Sequence, residues 1–328
     1  MQALSRSRRR ALALILLTGL APLTAAAGEV FKLGHMFARG SLPDQVALKF
    51  AELVAEQSRQ AIRIEVYPDG VLGDERENVA QLRKGSLDFT ISGDVLISSL
   101  GNQFRVVNMP FIYRDPAHAL AVYDGPLGVA IRSGIRQEGI EVLSWHYVGT
   151  RMLTANRPLR TVEDLKGLKL RLPQDQAWVA TWQALGASTQ QIPFTELADA
   201  LRTGRIDAQE NPPNFIRGQQ LYKHQKYLMT TDHLPQRQMI LASGQRWARL
   251  SATQRQLLLE AARAAARWTT ARATAQQQDD LDWLLGEGGM TRIEFDTRGV
   301  RAALAEIPGR LAGTEGERLY EQILASGR

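Results

Sequence analysis

The stretch Tyr147–Pro173, YVGTRMLTANRPLRTVEDLKGLKLRLP, carries an arginine near each end and the pattern of a helix and a strand between them. Thr161 and Asp164 have the spacing of a capping box, which predicts the start of a short helix. Apolar and cationic residues alternate over Lys169–Leu172, which predicts a strand whose leucines face a core while Arg171 points the other way. Arg171 is therefore expected at the carboxyl end of a strand. Open α/β sheets bind their ligands at that edge.

On the N-terminal side of this stretch, the pattern alternates between strand and helix. Asp74 and Glu77 have capping-box spacing before a helix that ends at Gly85. Because strands alternate with helices of ordinary length, we predict parallel βαβ units in a doubly wound α/β sheet. The predicted strands are Val30–Met36, Ile62–Val66, Asp88–Ser92, Phe104–Tyr113 and Gly139–Gly149.

On the C-terminal side, a brief strand at Ile206–Ala208 leads into Gln209-Glu210-Asn211-Pro212-Pro213. Proline after Asn211 stops the strand, so Asn211 resembles Arg171 as a polar residue at a strand's end. By itself, asparagine before proline is also typical of a turn. A last strand, Thr291–Phe295, and a last helix, Thr314–Ala325, complete the chain.

One long helix is predicted from Ser251 to Leu285. This segment has no glycine or proline and is rich in Ala, Gln, Leu and Arg, and Ser251 with Gln254 forms a capping box. At 1.5 Å per residue it would extend about 50 Å. A domain of about 150 residues has a radius of gyration of only about 15 Å, so the helix is expected to run along two domains.

The first 27 residues have the three parts of a secretory signal: four arginines, the apolar run Ala11–Leu23 and Ala25-Ala26-Ala27. Cleavage after Ala27 leaves 328 − 27 = 301 residues and lowers the formal charge from +6 to +2, which argues against a nucleic-acid partner. The general secretory and twin-arginine routes both remain open. We predict an exported protein that is not embedded in the membrane and has no cysteine for a disulfide or a thiolate nucleophile.

We find no sequence motif for catalysis or for cofactor binding. The five histidines form no metal-binding pair at helical spacing, and GxSxG, Walker and GxGxxG motifs do not occur. We therefore predict no cofactor and no metal-binding residue, and whether a metal ion assists ligand binding stays open. An exported hydrolase or lyase that uses Arg171 as an oxyanion clamp stays an alternative, with His146 or Glu210 as its base.

Three stretches together resemble the solute-binding proteins of tripartite ATP-independent periplasmic (TRAP) transporters, the DctP type. They are YPDGVLGDERENVAQLRKGSLDF (67–89), GTRMLTANRPLRTVEDLKGLKLRLP (149–173) and GRIDAQENPP (204–213). The resemblance implies that Arg171 forks onto a ligand carboxylate and that Arg151, Phe194 and Asn211 complete the grip. Gln174 and Glu75 match more variable positions of the family's binding site. A planar guanidinium suits a carboxylate because it donates two parallel hydrogen bonds.

The resemblance also implies a two-lobed periplasmic receptor with a cleft between its lobes. We predict lobe I as 28–149 plus 237–276 and lobe II as 150–236 plus 277–328. The ligand is expected to be an organic acid, and the implied partners are the membrane permease subunits of a TRAP transporter. Met36 and Gly93 stand where the sialic-acid-binding branch has polar residues. A C4-dicarboxylate or a sugar acid is therefore favoured over sialic acid, and a ligand-sensing receptor remains an alternative.

Overall fold

The computed structural model describes residues 28–305 and 307–326, so the predicted signal segment 1–27 lies outside the described residues. The described chain folds as an α/β protein of two lobes built on one continuous sheet. The strands are β1 Glu29–Gly34, β2 Ile62–Tyr67, β3 Phe89–Ser92, β4 Ile140–Ala155, β5 Lys169–Leu172, β6 Ser188–Gln191, β7 Ala208–Asn211, β8 Tyr227–Ser243 and β9 Thr291–Ile293.

Helices cover both faces of this sheet. They are α1 Leu42–Gln57, α2 Glu75–Lys84, α3 Pro116–Asp124, α4 Pro126–Gln137, α5 Gln176–Ala184, α6 Leu197–Arg202, α7 Pro213–Gly218, α8 Gly244–Arg249, α9 Ala252–Leu285, α10 Thr297–Leu304 and α11 Ile307–Ala325. Short 3₁₀ helices occupy Asp94–Ser99, Asn102–Asn108, Val162–Leu165, Phe194–Glu196 and Leu221–Lys223. Across the described ranges, no helix is both long enough and apolar enough to span a membrane.

The strand order is β2-β1-β3-β8-β4-β7-β5-β6, with β9 on a further stretch of β8. The outer strands pair in parallel, as predicted: β1 with β2 and β3, and β5 with β6 and β7. The centre differs from the prediction, because β3, β8, β4 and β7 pair antiparallel. The reason is connectivity: the chain crosses between the lobes on β4 and returns on β8, and two such strands run in opposite directions.

Strands β4 and β8 each belong to both lobes. Register shifts interrupt their pairing between Tyr147 and Gly149 and again between Arg151 and Leu153. Gly149 has φ +135°, and a Cβ at this position would lie 2.7 Å from the Pro212 side chain, so the irregular backbone there requires glycine. These irregularities lie at the predicted lobe junction. The lobe boundaries themselves stay a prediction.

The local signals of the opening stretch are confirmed. Asp164 accepts hydrogen bonds from the backbone nitrogens of Arg160 and Thr161 at the start of the Val162–Leu165 helix. In β5, Leu170 and Leu172 are fully buried in the core, whereas Arg171 lines a cavity. The predicted alternation therefore places Arg171 as expected.

Two further helix signals are also confirmed. The capping box of Asp74 and Glu77 opens α2, and Gly85 closes it with φ +70°. Ser251 caps α9, which ends at Leu285 as predicted. Helix α9 contacts both halves of the sheet region, since Gln254 donates to Glu29 at 2.9 Å and Asp280 accepts from Arg217 at 2.9 Å. The prediction of one helix along both lobes is confirmed.

The strand predicted at Phe104–Tyr113 is wrong. Asn102–Asn108 forms a 3₁₀ helix, and the chain then turns at Phe111, whose φ is +64°. The apolar residues of this segment are buried on all sides instead of alternating between two faces, and Pro110 cannot donate to a strand ladder. A short apolar run of this kind does not distinguish strand from helix.

Two small differences concern the C-terminal half. The brief strand β7 begins at Ala208, two residues later than predicted, and ends at Asn211. The last helix begins at Ile307, but Gly313 interrupts it with φ +67° and ψ −173°, so a separate helical segment starts at Thr314 as predicted.

Candidate ligand-binding site

A cavity of about 70 Å³ lies between the two lobes. Lobe I contributes Met36, Phe37, Asp74, Glu75, Arg76, Gly93, Asp94 and Val95; lobe II contributes Arg151, Arg171, Pro173, Gln174, Trp178, Ile192, Pro193, Phe194, Asn211 and Phe215; β8 contributes Gln236 and Gln238. All six residues singled out from the sequence are in this lining. Their roles in binding stay predictions, whereas their convergence on one cavity is a property of the fold.

Arg171 is buried, with 3% of its surface exposed. Its Nε and Nη2 donate to the carbonyl oxygen of Ile192 at 2.8 and 2.6 Å, and its guanidinium carbon lies 5.9 Å from the centre of the Phe194 ring. No aspartate or glutamate in residues 28–305 and 307–326 forms an ion pair with Arg171. Burial, followed by the like charge of Arg151, lowers the pKa of Arg171 to about 10. The site thus holds a buried cation with no anionic partner.

The two lobes contact each other around the cavity, and the Arg171 guanidinium is buried there. Arg76 donates to Gln174 at 2.7 Å across the mouth, and the Phe37 ring of lobe I lies 5.6 and 5.5 Å from the rings of Phe194 and Phe215. The structure is therefore a closed form.

Arg151 is buried like Arg171 but has a complete set of partners. Its Nη2 donates to Glu210 Oε1 at 2.7 Å, its Nε donates to Glu210 Oε2, and its Nη1 donates to Gln236 at 2.6 Å. The guanidinium carbon also lies 4.7 Å from the Trp178 ring. Glu210 thus balances the charge of Arg151, which leaves this arginine with little net charge to offer a ligand.

Glu210 lies behind Arg151 and outside the cavity lining. Burial alone would raise its pKa, but Arg151 and then His233, whose Nε2 lies 3.0 Å from Oε2, hold the pKa below its usual value. The carboxylate is therefore ionised and fully engaged at neutral pH. A general base needs a free lone pair near the substrate, and Glu210 does not provide one.

His146 is the other base considered for an enzyme. Its side chain is buried and does not line the cavity, and burial lowers its pKa to about 3. It sits on β4 opposite Gln238 of β8. Trp145 and Tyr147, which flank it, are core residues.

Asn211 and Phe194 complete the part of the lining expected from the sequence. Asn211 ends β7, and its Nδ2 donates to Gln209 at 2.5 Å, which fixes the amide plane next to Arg151 in the lining. Phe194 begins a 3₁₀ helix and packs against Phe37 and Phe215. Its ring therefore contributes a rigid apolar side to the cavity.

Glu75 is the first residue of α2 and faces the cavity from lobe I. Its Oε1 accepts two hydrogen bonds of 2.7 Å each, from the Ser92 hydroxyl and the Gly93 backbone nitrogen. Burial raises its pKa in spite of these bonds and of Arg171.

Sequence reasoning missed an ion pair that underlies the lobe I side. Asp94 lines the cavity, and Arg237, which is fully buried, donates to its Oδ2. The Arg237 guanidinium carbon lies 4.4 and 4.5 Å from the rings of Tyr113 and Tyr123. No spacing in the sequence joins Asp94 to a residue 143 positions away. The nearest signal was an arginine, Arg237, two positions before the apolar run Met239–Ala242.

Comparisons with known proteins identify the family. The family model described as "Bacterial extracellular solute-binding protein, family 7" (DctP) matches residues 33–307. The chain is 27% identical to the 2,3-diketo-L-gulonate-binding periplasmic protein YiaO of Escherichia coli K12, over 88% of this chain and 89% of that protein. It is 30% identical to the sialic acid-binding periplasmic protein SiaP of Vibrio cholerae, over 84% and 86%.

The fold has the same relatives. The sugar acid binding protein DctPAm of Advenella mimigardefordensis, solved in complex with galactonate, superposes with a TM-score of 0.86 at 28% identity, over 91% of this chain and 97% of that one. The family model covers most of the chain, and the two-lobed fold agrees with it, so the family of the protein is established. The protein belongs to bacterial extracellular solute-binding family 7, the DctP-type periplasmic solute-binding proteins of TRAP transporters.

Proposed function

We propose that this protein captures an organic acid, a C4-dicarboxylate or a sugar acid, by forking Arg171 onto the ligand's carboxylate. One observation carries the proposal: Arg171 is a buried cation without a counter-ion in the described chain, and it lines the cavity between the lobes. Burying an isolated charge is costly unless a partner balances it. A carboxylate that accepts two parallel bonds from the guanidinium supplies that partner.

Arg151 and Asn211 support the grip in this proposal. Arg151 is held in place by Glu210 and Gln236, so it presents a fixed guanidinium edge with little loss of entropy on binding. Asn211 lies at the end of β7 with its amide fixed by Gln209. Phe194 and Trp178 exclude water from the carboxylate, which strengthens its interaction with Arg171.

Binding is coupled to movement of the lobes. We assign lobe I to 28–149 plus 237–276 and lobe II to 150–236 plus 277–328, joined at the irregular part of β4, at the facing part of β8 and by α9. An open form admits the acid, the closed form described above retains it, and the receptor delivers it to an ion-gradient-driven TRAP membrane permease. The relatives YiaO, SiaP and DctPAm are named for binding compounds that carry a carboxylate, which supports an acid as the ligand.

A receptor also explains the chemistry of the site better than a hydrolase or lyase does. The two bases that an enzyme would use, His146 and Glu210, are respectively outside the cavity and tied to Arg151. A ligand-sensing receptor would use the same site, so the partner distinguishes it from a transport receptor.

Two experiments test the proposal. Native mass spectrometry of protein isolated from its own periplasm should show one bound organic acid per chain, and loss of that mass in Arg171→Ala. Incubation of the purified protein with the identified acid should return the acid unchanged. Turnover of the acid, or a bound ligand without a carboxylate, would contradict the proposal.

A further inference from the structure

The two sides of the cavity carry opposite charge. Lobe I supplies three carboxylates to the lining, Asp74, Glu75 and Asp94, with Arg76 at the exposed mouth. Lobe II supplies the two guanidiniums of Arg151 and Arg171 and no carboxylate. A ligand that spans the cavity therefore meets a cationic side at one end and an acidic side at the other.

Ion pairs within the protein neutralise several of these charges. Glu210 neutralises Arg151, and Arg237 neutralises Asp94. Arg76 is exposed and donates to Gln174, away from the interior. Among the described residues of the lining, Arg171 is the buried cation that remains without an ion-pair partner. Two carboxylates, Asp74 and Glu75, also remain without one, and Asp74 uses its Oδ1 to accept from the Glu77 backbone nitrogen at the start of α2.

The remaining acidic side is a surface of hydrogen-bond acceptors. Glu75 uses Oε1 for Ser92 and Gly93, and its Oε2 has no hydrogen bond within the described chain. Asp94 uses Oδ2 for Arg237, and its buried Oδ1 has no hydrogen-bond partner in the described residues. Carboxylate oxygens accept but cannot donate, so they suit a ligand that brings O–H groups and not one that brings more acceptors.

We propose that the ligand is a singly charged polyhydroxy acid of the aldonate type, and that Glu75 excludes dicarboxylates. Its one carboxylate binds Arg171, and a hydroxyl at its other end donates to Glu75. A second carboxylate in that place would put two like charges and two acceptors against each other in a closed, poorly solvated space. This inference rests on the proposed function, because it takes Arg171 as the carboxylate anchor. Of the two ligand classes named above, C4-dicarboxylates and sugar acids, it selects the sugar acids.

A matched pair of ligands isolates the effect of the second charge. Galactonate and galactarate share six carbons and four internal hydroxyls and differ only at C6, which is a primary alcohol in the first and a carboxylate in the second. Gluconate with glucarate, and erythronate with tartrate, repeat the comparison for other stereochemistry and length. Calorimetric titration of the parent protein should show at least one aldonate binding a hundredfold or more tighter than its paired diacid, and tighter than succinate.

Three variants assign the discrimination to Glu75. Glu75→Gln keeps the size and the acceptor oxygen but removes the charge, so the ratio of aldonate to diacid affinity should fall at least tenfold. Glu75→Asp keeps the charge and should keep most of the ratio. Glu77→Gln is the control on the same helix: Glu77 is exposed and outside the lining, and glutamine can replace it in the capping box, so the ratio should not change.

The outcomes separate this inference from the proposed function. If the parent binds a dicarboxylate as tightly as every aldonate, or if Glu75→Gln leaves the ratio unchanged, the role of Glu75 is refuted while Arg171 can still be the anchor. If affinity for both members of a pair is unaffected by Arg171→Ala, the anchor itself is wrong and the inference falls with it. Thermal unfolding of each variant shows whether a lost ratio reflects lost folding.

Discussion

Replacing Arg171 with alanine should abolish most of the affinity for the acid without unfolding the protein. In the liganded protein the guanidinium and the carboxylate form a buried pair. Removing one member of such a pair costs roughly 3 to 5 kcal/mol, because the other member stays desolvated and unpaired. At 1.4 kcal/mol per tenfold change, affinity should fall roughly 10²- to 10³-fold or more.

The unliganded protein should respond in a different way. Burial lowers the pKa of Arg171 from its ordinary value to about 10, which corresponds to a cost of about 3 kcal/mol for keeping the charge buried. Because the folded pKa is the lower one, this cost applies in full below pH 10 and disappears as the pH rises from there towards the ordinary pKa of arginine. Alanine removes the cost but also removes the two bonds to Ile192 and leaves a small void. These effects oppose each other, so the melting temperature without ligand should stay near that of the parent.

Titration calorimetry and thermal unfolding of three variants decide the matter. Arg171→Lys keeps the charge but not the fork, so it should recover only part of the affinity that Arg171→Ala loses. Arg205→Ala removes an exposed arginine from the same lobe and should leave both affinity and melting temperature unchanged. Near-parent affinity in Arg171→Ala, or a collapse of its melting temperature without ligand, would refute the assignment.

Three further predictions concern the surroundings of the site. Arg151→Ala should weaken every anionic ligand, because it leaves the negative charge of Glu210 unbalanced behind the cavity. Unlike Arg171→Ala, it should also cost about 3 to 5 kcal/mol of unfolding free energy, because Glu210 stays buried; an unaltered denaturation midpoint would contradict this. Small-angle scattering should show a smaller radius of gyration with the acid than without it, since the closed form joins Phe37 to Phe194 across the cavity; equal radii would count against closure. Burial lowers the pKa of His146 from its ordinary 6.5 to about 3 in the folded protein. The buried neutral imidazole therefore contributes its full stability above pH 6.5, and this contribution declines by about 1.4 kcal/mol per pH unit as the pH falls towards 3. Denaturation of His146→Leu at pH 7 and 4.5 should therefore show a smaller loss on acidification than the parent, and an equal loss would be inconsistent with a buried neutral imidazole.

The parts of the fold that the sequence predicted are those decided by local chemistry. Capping boxes placed the starts of α2, α9 and the Val162–Leu165 helix, and alternation placed β5 with Arg171 off the core. Each of these signals depends on residues a few positions apart. The strand prediction within the segment 102–113 was wrong because the apolar residues of this segment are buried on all sides. A local sequence pattern does not indicate which distant parts of the chain bury a residue.

The antiparallel centre of the sheet could not be predicted for a related reason. The sequence of β4 predicts an ordinary strand after a helix. Its residues do not indicate that the strand continues for 16 residues through both lobes. Its partner β8 lies about 80 residues later in the chain. The direction of the pair follows from the path of the whole chain between the two lobes, which local periodicity does not encode.

The charge of the binding site depends on pairings that only the folded chain reveals. From the sequence, Arg171 lies on a predicted strand and Arg151 follows the predicted strand Gly139–Gly149, and the family resemblance implies that both contact the ligand. Folding brings Glu210 onto Arg151 across the β4–β7 pair and brings Arg237 onto Asp94 from β8, and both interactions cancel charge that the sequence leaves uncounted. Because Glu210 pairs with Arg151, Arg171 is the one buried cation of the lining without an ion-pair partner in the described chain. Glu75 also has no ion-pair partner there, and it lies on the other side of the cavity. In our proposal the number of carboxylates on the ligand therefore follows from the ion pairs behind the cavity, and not from the number of arginines that line it.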